Sequence, residues 1–138
     1  MKNLNIYITE HINDPKKDEV FVIVKPGFLK KSAEIMEMIK EEGFELVKTT
    51  TKLLTLKEAR DLYKIHKKEE WYKPLCDYMS SDLTLGLLFR SNDKDPLKKM
   101  AEVKDKVREK FGESDMRNVM HSSDSYEHML DEQCIYFG

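Results

Sequence analysis

At 138 residues, 40% of them hydrophobic and 36% charged, the chain is long enough for one compact domain with a real core and too short for two ordinary ones. A formal net charge of −2 gives no global attraction to nucleic acid or to an acidic membrane surface, and no stretch approaches the roughly 18 apolar residues of a membrane helix. Cys76 and Cys134 are the only cysteines and lack metal-ligand spacing, and the start, MKNLNIYITEH, carries no targeting pattern, so a reduced, soluble, cytoplasmic protein is expected.

Residues 1–18 read as an extension ahead of a domain spanning 19–138. In the extension Leu4, Ile6 and Ile8 alternate as in an edge strand, and Asn13-Asp14-Pro15-Lys16-Lys17 is turn-like. Glu19 to Lys25 is a β-branched, near-continuous apolar run that predicts a buried strand closed by Pro26-Gly27, so Lys25 sits at a strand end. With Ser32 as N-cap, an apolar side of Ile35, Met36, Met38 and Ile39, and Gly43 after the last turn, Ser32 to Glu42 reads as a helix.

Phe44 to Leu54 reads as a second strand. Thr55-Leu56-Lys57-Glu58 has the form of a capping box opening a helix through about His66, and a short helix is expected from Glu69 to Met79. Leu83 to Phe89 reads as the third strand. Asp95-Pro96 supplies an N-cap and a proline at N1 for the longest helix, whose Leu97, Met100, Val103, Val107 and Phe111 recur at helical spacing. The order β-α-β-α-α-β-α-β-α predicts an α+β domain of the ferredoxin-like, split βαβ plan, a four-stranded antiparallel sheet covered by helices.

The stretch Arg117-Asn118-Val119-Met120-His121-Ser122-Ser123-Asp124-Ser125 sets a histidine after a short apolar step and in front of a helix start. Neutral imidazole is a nucleophile near neutral pH, and a carboxylate such as Glu132 can fix its tautomer. With Asp124 as N-cap and Glu127 at N3, the following residues read as a second capping box. A phosphoryl group near His121 would then meet free backbone N–H groups at the positive end of a helix dipole.

RNVMHSSDS resembles the active-site motif of the nucleoside diphosphate kinases, usually RN-x-x-HGSDS or RN-x-x-HASDS, and the likeness extends with gaps from about Val20 to Phe137. The resemblance implies that His121 takes the γ-phosphate of a nucleoside triphosphate as a phosphohistidine and passes it to a nucleoside diphosphate. Glu132 would orient the imidazole, Ser123 would support it, and Asn118 would contact the nucleotide sugar or phosphate. Lys25 matches a lysine that reaches the sugar hydroxyl and phosphates, although Gly27 replaces the family's aspartate in Lys-Pro-Asp. Tyr63 matches a tyrosine that hydrogen-bonds the histidine, Trp71 the aromatic residue on which the base stacks, and Arg108 an arginine on the terminal phosphates.

Between the third strand and the motif the chain is shorter than the family. By simple offset Lys99 stands where a second phosphate-binding arginine belongs and Asp105 where a threonine belongs, with Lys98 as the neighbouring candidate. The family also implies Mg²⁺ carried in on the nucleotide phosphates and a homo-oligomer, here with a dimer favoured because of the shortened loop and an end at Gly138.

Blander readings stand beside these. Trp71 can be core, and Lys25 and Glu132 can be surface groups. Lys98, Lys99, Lys104, Lys106, Arg108 and Lys110 are interspersed with Glu102, Asp105 and Glu109, which reads as a solvated helix face rather than a specific nucleic-acid stripe. His128 and Glu132, with His121 and Asp124 upstream, could hold a metal but lack a recognised metal signature, and a metal-dependent hydrolase built on His121, Asp124 and His128 is one rival. A non-catalytic family member acting as a nucleotide-binding or interaction module is the other rival. His11 and His66 have no evident partner.

Overall fold

The computed structural model describes residues 17–138, so His11 and the strand expected around Leu4 to Ile8 lie outside the described residues. Strand β1, Glu19–Val24, is buried along its whole length. It is followed by a 3-10 turn at Leu29–Lys31 and helix α1, Ser32–Glu41. Then come β2, Phe44–Lys52; α2, Leu56–Leu62; a 3-10 turn at Lys64–His66; α3, Tyr72–Met79; and β3, Thr84–Ser91. The chain continues through α4, Pro96–Phe111; β4, Met120–Ser122; and α5, Tyr126–Phe137.

The strands lie in the order β2-β3-β1-β4, every pair antiparallel, with helices on both faces. This is the split βαβ, ferredoxin-like α+β plan. Central β1 explains the near-continuous apolar run, because its residues alternate between two cores. Val20, Val22 and Val24 face Ile35, Ile39, Met100, Val103 and Val107 of α1 and α4. Phe21 and Ile23 face Ala59, Leu62, Leu75, Met79, Met129 and Tyr136 of α2, α3 and α5. Each of these side chains is buried, and full burial of one such group is worth about 1.5–3 kcal/mol, so β1 and its register anchor the sheet.

Two of the expected caps form. Thr55 Oγ1 accepts from Glu58 N at 3.1 Å while Glu58 Oε1 accepts from Thr55 N at 3.0 Å, and Asp95 caps α4 by accepting from Lys98 N. Two do not. The 3-10 turn at Leu29–Lys31 runs straight into α1, so Ser32 already has helical angles and the N-cap position falls on Lys31. At α5 the cap is Ser125, whose side chain accepts from His128 N; Asp124 stands one residue too early and pairs with the His128 ring instead. The helix expected from Glu69 begins at Tyr72, since Glu69 to Trp71 form a turn, and the helix expected to reach His66 tightens into its 3-10 turn after Leu62.

Candidate active site

Strand β4 is three residues long and delivers His121 to the α2/α5 face of the sheet, where Ile23 is its neighbour in β1. Helix α5 packs on that face and presents Glu132 from inside the core, 5% exposed. Glu132 Oε1 lies 2.9 Å from His121 Nε2, and Glu132 Oε2 accepts from Ser123 Oγ at 2.5 Å. An ionised carboxylate only accepts hydrogen bonds, so its pairing with Nε2 puts the imidazole proton there. Nδ1 then carries the lone pair. Ser123 is tied in turn to β1, its N–H donating to the Phe21 carbonyl at 3.1 Å.

On the other side of His121 opens a cleft of about 510 Å³. Its walls bring together Lys25, Tyr63, Trp71, Arg108, Asn118 and His121, all expected there, with His66, Leu75, Asp115 and Met116. Lys25, buried where β1 ends, donates from Nζ to Asn118 Oδ1 at 2.6 Å and to the Met116 carbonyl at 3.4 Å. Burial, and then the nearby cations of Arg108 and Lys104, push Lys25 down to about 7. Burial also pushes the Tyr63 phenol up and the Arg108 guanidinium down.

Tyr63 meets His121 edge-on, with ring centroids 5.6 Å apart, but their hydrogen bond expected from the sequence is not made: Tyr63 Oη is buried without a partner among the described residues. Arg108 donates from Nη2 to the Met120 carbonyl at 2.9 Å and leaves a buried Nε equally unpaired. Each such orphan costs about 1–3 kcal/mol. Both belong to residues of the same cleft wall.

Trp71 is 43% exposed at the start of α3, so it is not a core residue. The ring of His66 lies against it, centroids 4.9 Å apart, which gives that histidine the partner the sequence did not reveal. Lys99 is elsewhere: its Nζ pairs with Glu42 Oε2 at 3.3 Å, across from α1, and it does not line the cleft. Lys98 lines a different cleft, with Lys104, Ser122, Ser123 and Asp124. Asp105 is exposed on α4.

Lys104 is the basic residue that offset reasoning missed. It lies one turn before Arg108 and is partly buried, and burial followed by the Arg108 charge pushes it down. Its helical spacing from Arg108 was the available signal. Val119 gave none. It has φ +83, its neighbours close a tight turn with Met120 N donating to the Asn118 carbonyl at 3.0 Å, and its own carbonyl accepts from Lys25 N at 2.8 Å. A β-branched residue in that conformation costs about 1–3 kcal/mol, and Val119 is fully buried.

The metal-hydrolase arrangement is not assembled. Asp124 and His128 pair with each other at 2.8 Å, His121 is taken by Glu132, and among the described residues no three His, Cys, Asp or Glu side chains converge to hold an ion. Nor is any described helix long and apolar enough to cross a membrane.

A family model described as "Nucleoside diphosphate kinase" matches residues 18–138. Among curated proteins, the nucleoside diphosphate kinase of Kosmotoga olearia is similar at 26% identity over 133 residues, covering 87% of this chain and 88% of that one. "Nucleoside diphosphate kinase homolog 7" of Rattus norvegicus is similar at 27% identity over 133 residues, covering 88% of this chain; the chain spans about a third of that relative, 34%. The solved structure of the Aquifex aeolicus nucleoside diphosphate kinase superposes with a TM-score of 0.78 at 24% identity, covering 88% of this chain and 95% of that one, a likeness of fold.

Proposed function

Because the chain belongs to the nucleoside diphosphate kinase family, we propose that it moves the γ-phosphate of a nucleoside triphosphate to a nucleoside diphosphate through a phosphohistidine at His121. The observation that carries this reading is the Ser123–Glu132–His121 chain of hydrogen bonds opening on a cleft lined by Lys25, Arg108 and Asn118. In the first half-reaction His121 Nδ1 attacks the γ-phosphorus. An N–P bond forms, the bond to the bridging oxygen breaks, and the diphosphate leaves with the electron pair. The second half is the reverse with another diphosphate as acceptor, which gives ping-pong kinetics.

As the bond forms, positive charge develops on the imidazole, and Glu132 is placed to stabilise it through Nε2–H. Lys25 and Arg108, which line the cleft, neutralise the phosphates. The exposed face of Trp71 offers the base a stacking surface with little preference among bases. Mg²⁺ is assigned to the substrate, as a nucleotide carrying the ion on its phosphates, in keeping with a hard cation that retains water and phosphate oxygens.

A second reading has one observation in its favour. Lys99 is drawn away to Glu42, so the phosphates have fewer cations than the family pattern provides, as suits a member that binds nucleotide without turning it over. Incubation with γ-labelled ATP separates the two. The catalytic reading expects an acid-labile phosphoprotein that vanishes in His121→Ala together with ATP-to-GDP exchange; an unlabelled parent protein, or exchange persisting in the variant, refutes it.

A further inference from the structure

The turn that presents Lys25 and the loop that presents Asn118 are far apart in sequence, and one half-buried side chain joins them. Arg117 immediately precedes Asn118. Its guanidinium carbon lies 5.3 Å from the ring centroid of Phe28 and 5.5 Å from that of Tyr78, within the range of attraction between a cation and a ring face. Gly27, at φ +90, leaves the space it enters: a Cβ built there would stand 2.6 Å from Arg117 Nη2. A side chain at position 27 would have to push the flexible end of Arg117 aside and is disfavoured by that backbone angle.

Both ends of this bridge are themselves fastened. The Tyr78 hydroxyl donates to the Pro26 carbonyl, and Phe28 N donates to the Lys25 carbonyl at 3.2 Å. Arg117 Nε donates to Glu113 Oε1 at 2.9 Å, and its backbone carbonyl accepts from Glu113 N at 2.8 Å, which closes the loop on itself. The side chain therefore touches the turn after β1, α3 and the loop after α4 at once, and does not itself line the cleft.

We propose that Arg117 is a positioning residue, a three-way clamp over Gly27 that sets the Lys25–Asn118 pair for an anionic ligand. This rests on the reading of the cleft as a nucleotide site. It assigns Arg117 to ligand affinity and not to the chemical step. Removing two contacts of this kind should weaken ADP binding roughly three- to tenfold.

The test compares the parent with Arg117→Ala and Arg117→Lys, the second keeping the charge while losing the planar surface that lies on two rings. ADP affinity is measured by calorimetry, KM and kcat by exchange, and the Lys25 ammonium is followed by NMR titration of lysine-labelled protein without ligand. The expected result is a raised ADP Kd and KM in both variants with kcat kept, and a Lys25 titration moved up toward ordinary lysine as the turn admits water. An unchanged Lys25 titration overturns the proposal, as does a fall in kcat at constant KM, which would mark a loss of folded enzyme only. A parent that binds no ADP would refute the nucleotide reading while leaving the Lys25 titration to judge Arg117 separately.

Discussion

Lys25 should make nucleotide binding take up a proton. In the free protein it is held at about 7, first by burial and then by the Arg108 and Lys104 cations, so at pH 8 roughly nine-tenths of it is neutral. Phosphate entering within hydrogen-bond reach favours the charged form, typically by about 1–3 pH units. Binding at pH 8 should then consume roughly 0.4 to 0.9 proton, and at pH 6, where the group is already mostly charged, about 0.1. Calorimetry with ADP in two buffers of different ionisation enthalpy at pH 8 reads this number directly, and Lys25→Met removes it while weakening binding.

The sign for stability runs the other way. A lysine lowered from 10.5 to about 7 binds fewer protons folded than unfolded between those values, so this group's burden is full below pH 7 and is relieved as pH rises through that range. The gap bounds it at about 5 kcal/mol, a ceiling that the hydrogen bonds to Asn118 and Met116 reduce. Lys25→Met should therefore raise Tm at pH 6 and gain less at pH 9. Equal observed enthalpies in the two buffers at pH 8, or proton uptake surviving in Lys25→Met, would show that the cleft does not use this amine.

Three further expectations follow from the same geometry. Glu132→Gln keeps the shape around His121 but removes the charge behind two hydrogen bonds, so rapid-quench phosphorylation should slow by roughly 30- to 100-fold, about 2–3 kcal/mol, with little change in Tm; a rate within threefold of the parent would detach Glu132 from the chemistry. Trp71, the sole tryptophan, should change fluorescence with ADP and GDP alike, and Trp71→Ala should weaken both by about 1–3 kcal/mol; silence at saturation would remove it from the base site. Lys99→Ala should leave KM unchanged because Lys99 pairs with Glu42, whereas Lys104→Ala, beside Arg108, should raise it roughly three- to tenfold; the reverse order would restore the offset assignment.

Much of the fold was written in local pattern. The apolar run of β1, the Thr55–Glu58 capping box and the spacing of α4 follow from periodicity and cap chemistry within a few residues, which is why boundaries shift while the order of elements holds. The caps that failed did so for tertiary reasons: the turn at Leu29–Lys31 consumed the start of α1, and His128 drew Asp124 out of its capping place. The motif and the resemblance named six residues that line the cleft, but not their pairings. Nothing local says that Lys99 meets Glu42 just past the end of α1, that His66 lies on Trp71, or that Val119 takes a left-handed angle, because each depends on what packs opposite.

That division has a physical basis in sequence separation. His121 and Glu132 are 11 residues apart and Ser123 and Glu132 are 9 apart, so the reactive group is one β-turn-α unit that forms with little loop closure. The Lys25–Asn118 pair spans 93 residues and exists only once β1 and β4 are in register. A change in the length of the connection between β3 and β4 therefore bears on the cations of the cleft before it touches the histidine and its carboxylate. In this chain the cations lining the cleft are Lys25, just past β1, and Arg108 of α4, while Lys104, one turn before Arg108, lines the neighbouring cleft; α4 packs on the core through Met100, Val103 and Val107. On the proposed function, the chemical step at His121 and the affinity for phosphate rest on different parts of the fold, and substitutions in α4 should move the second without moving the first.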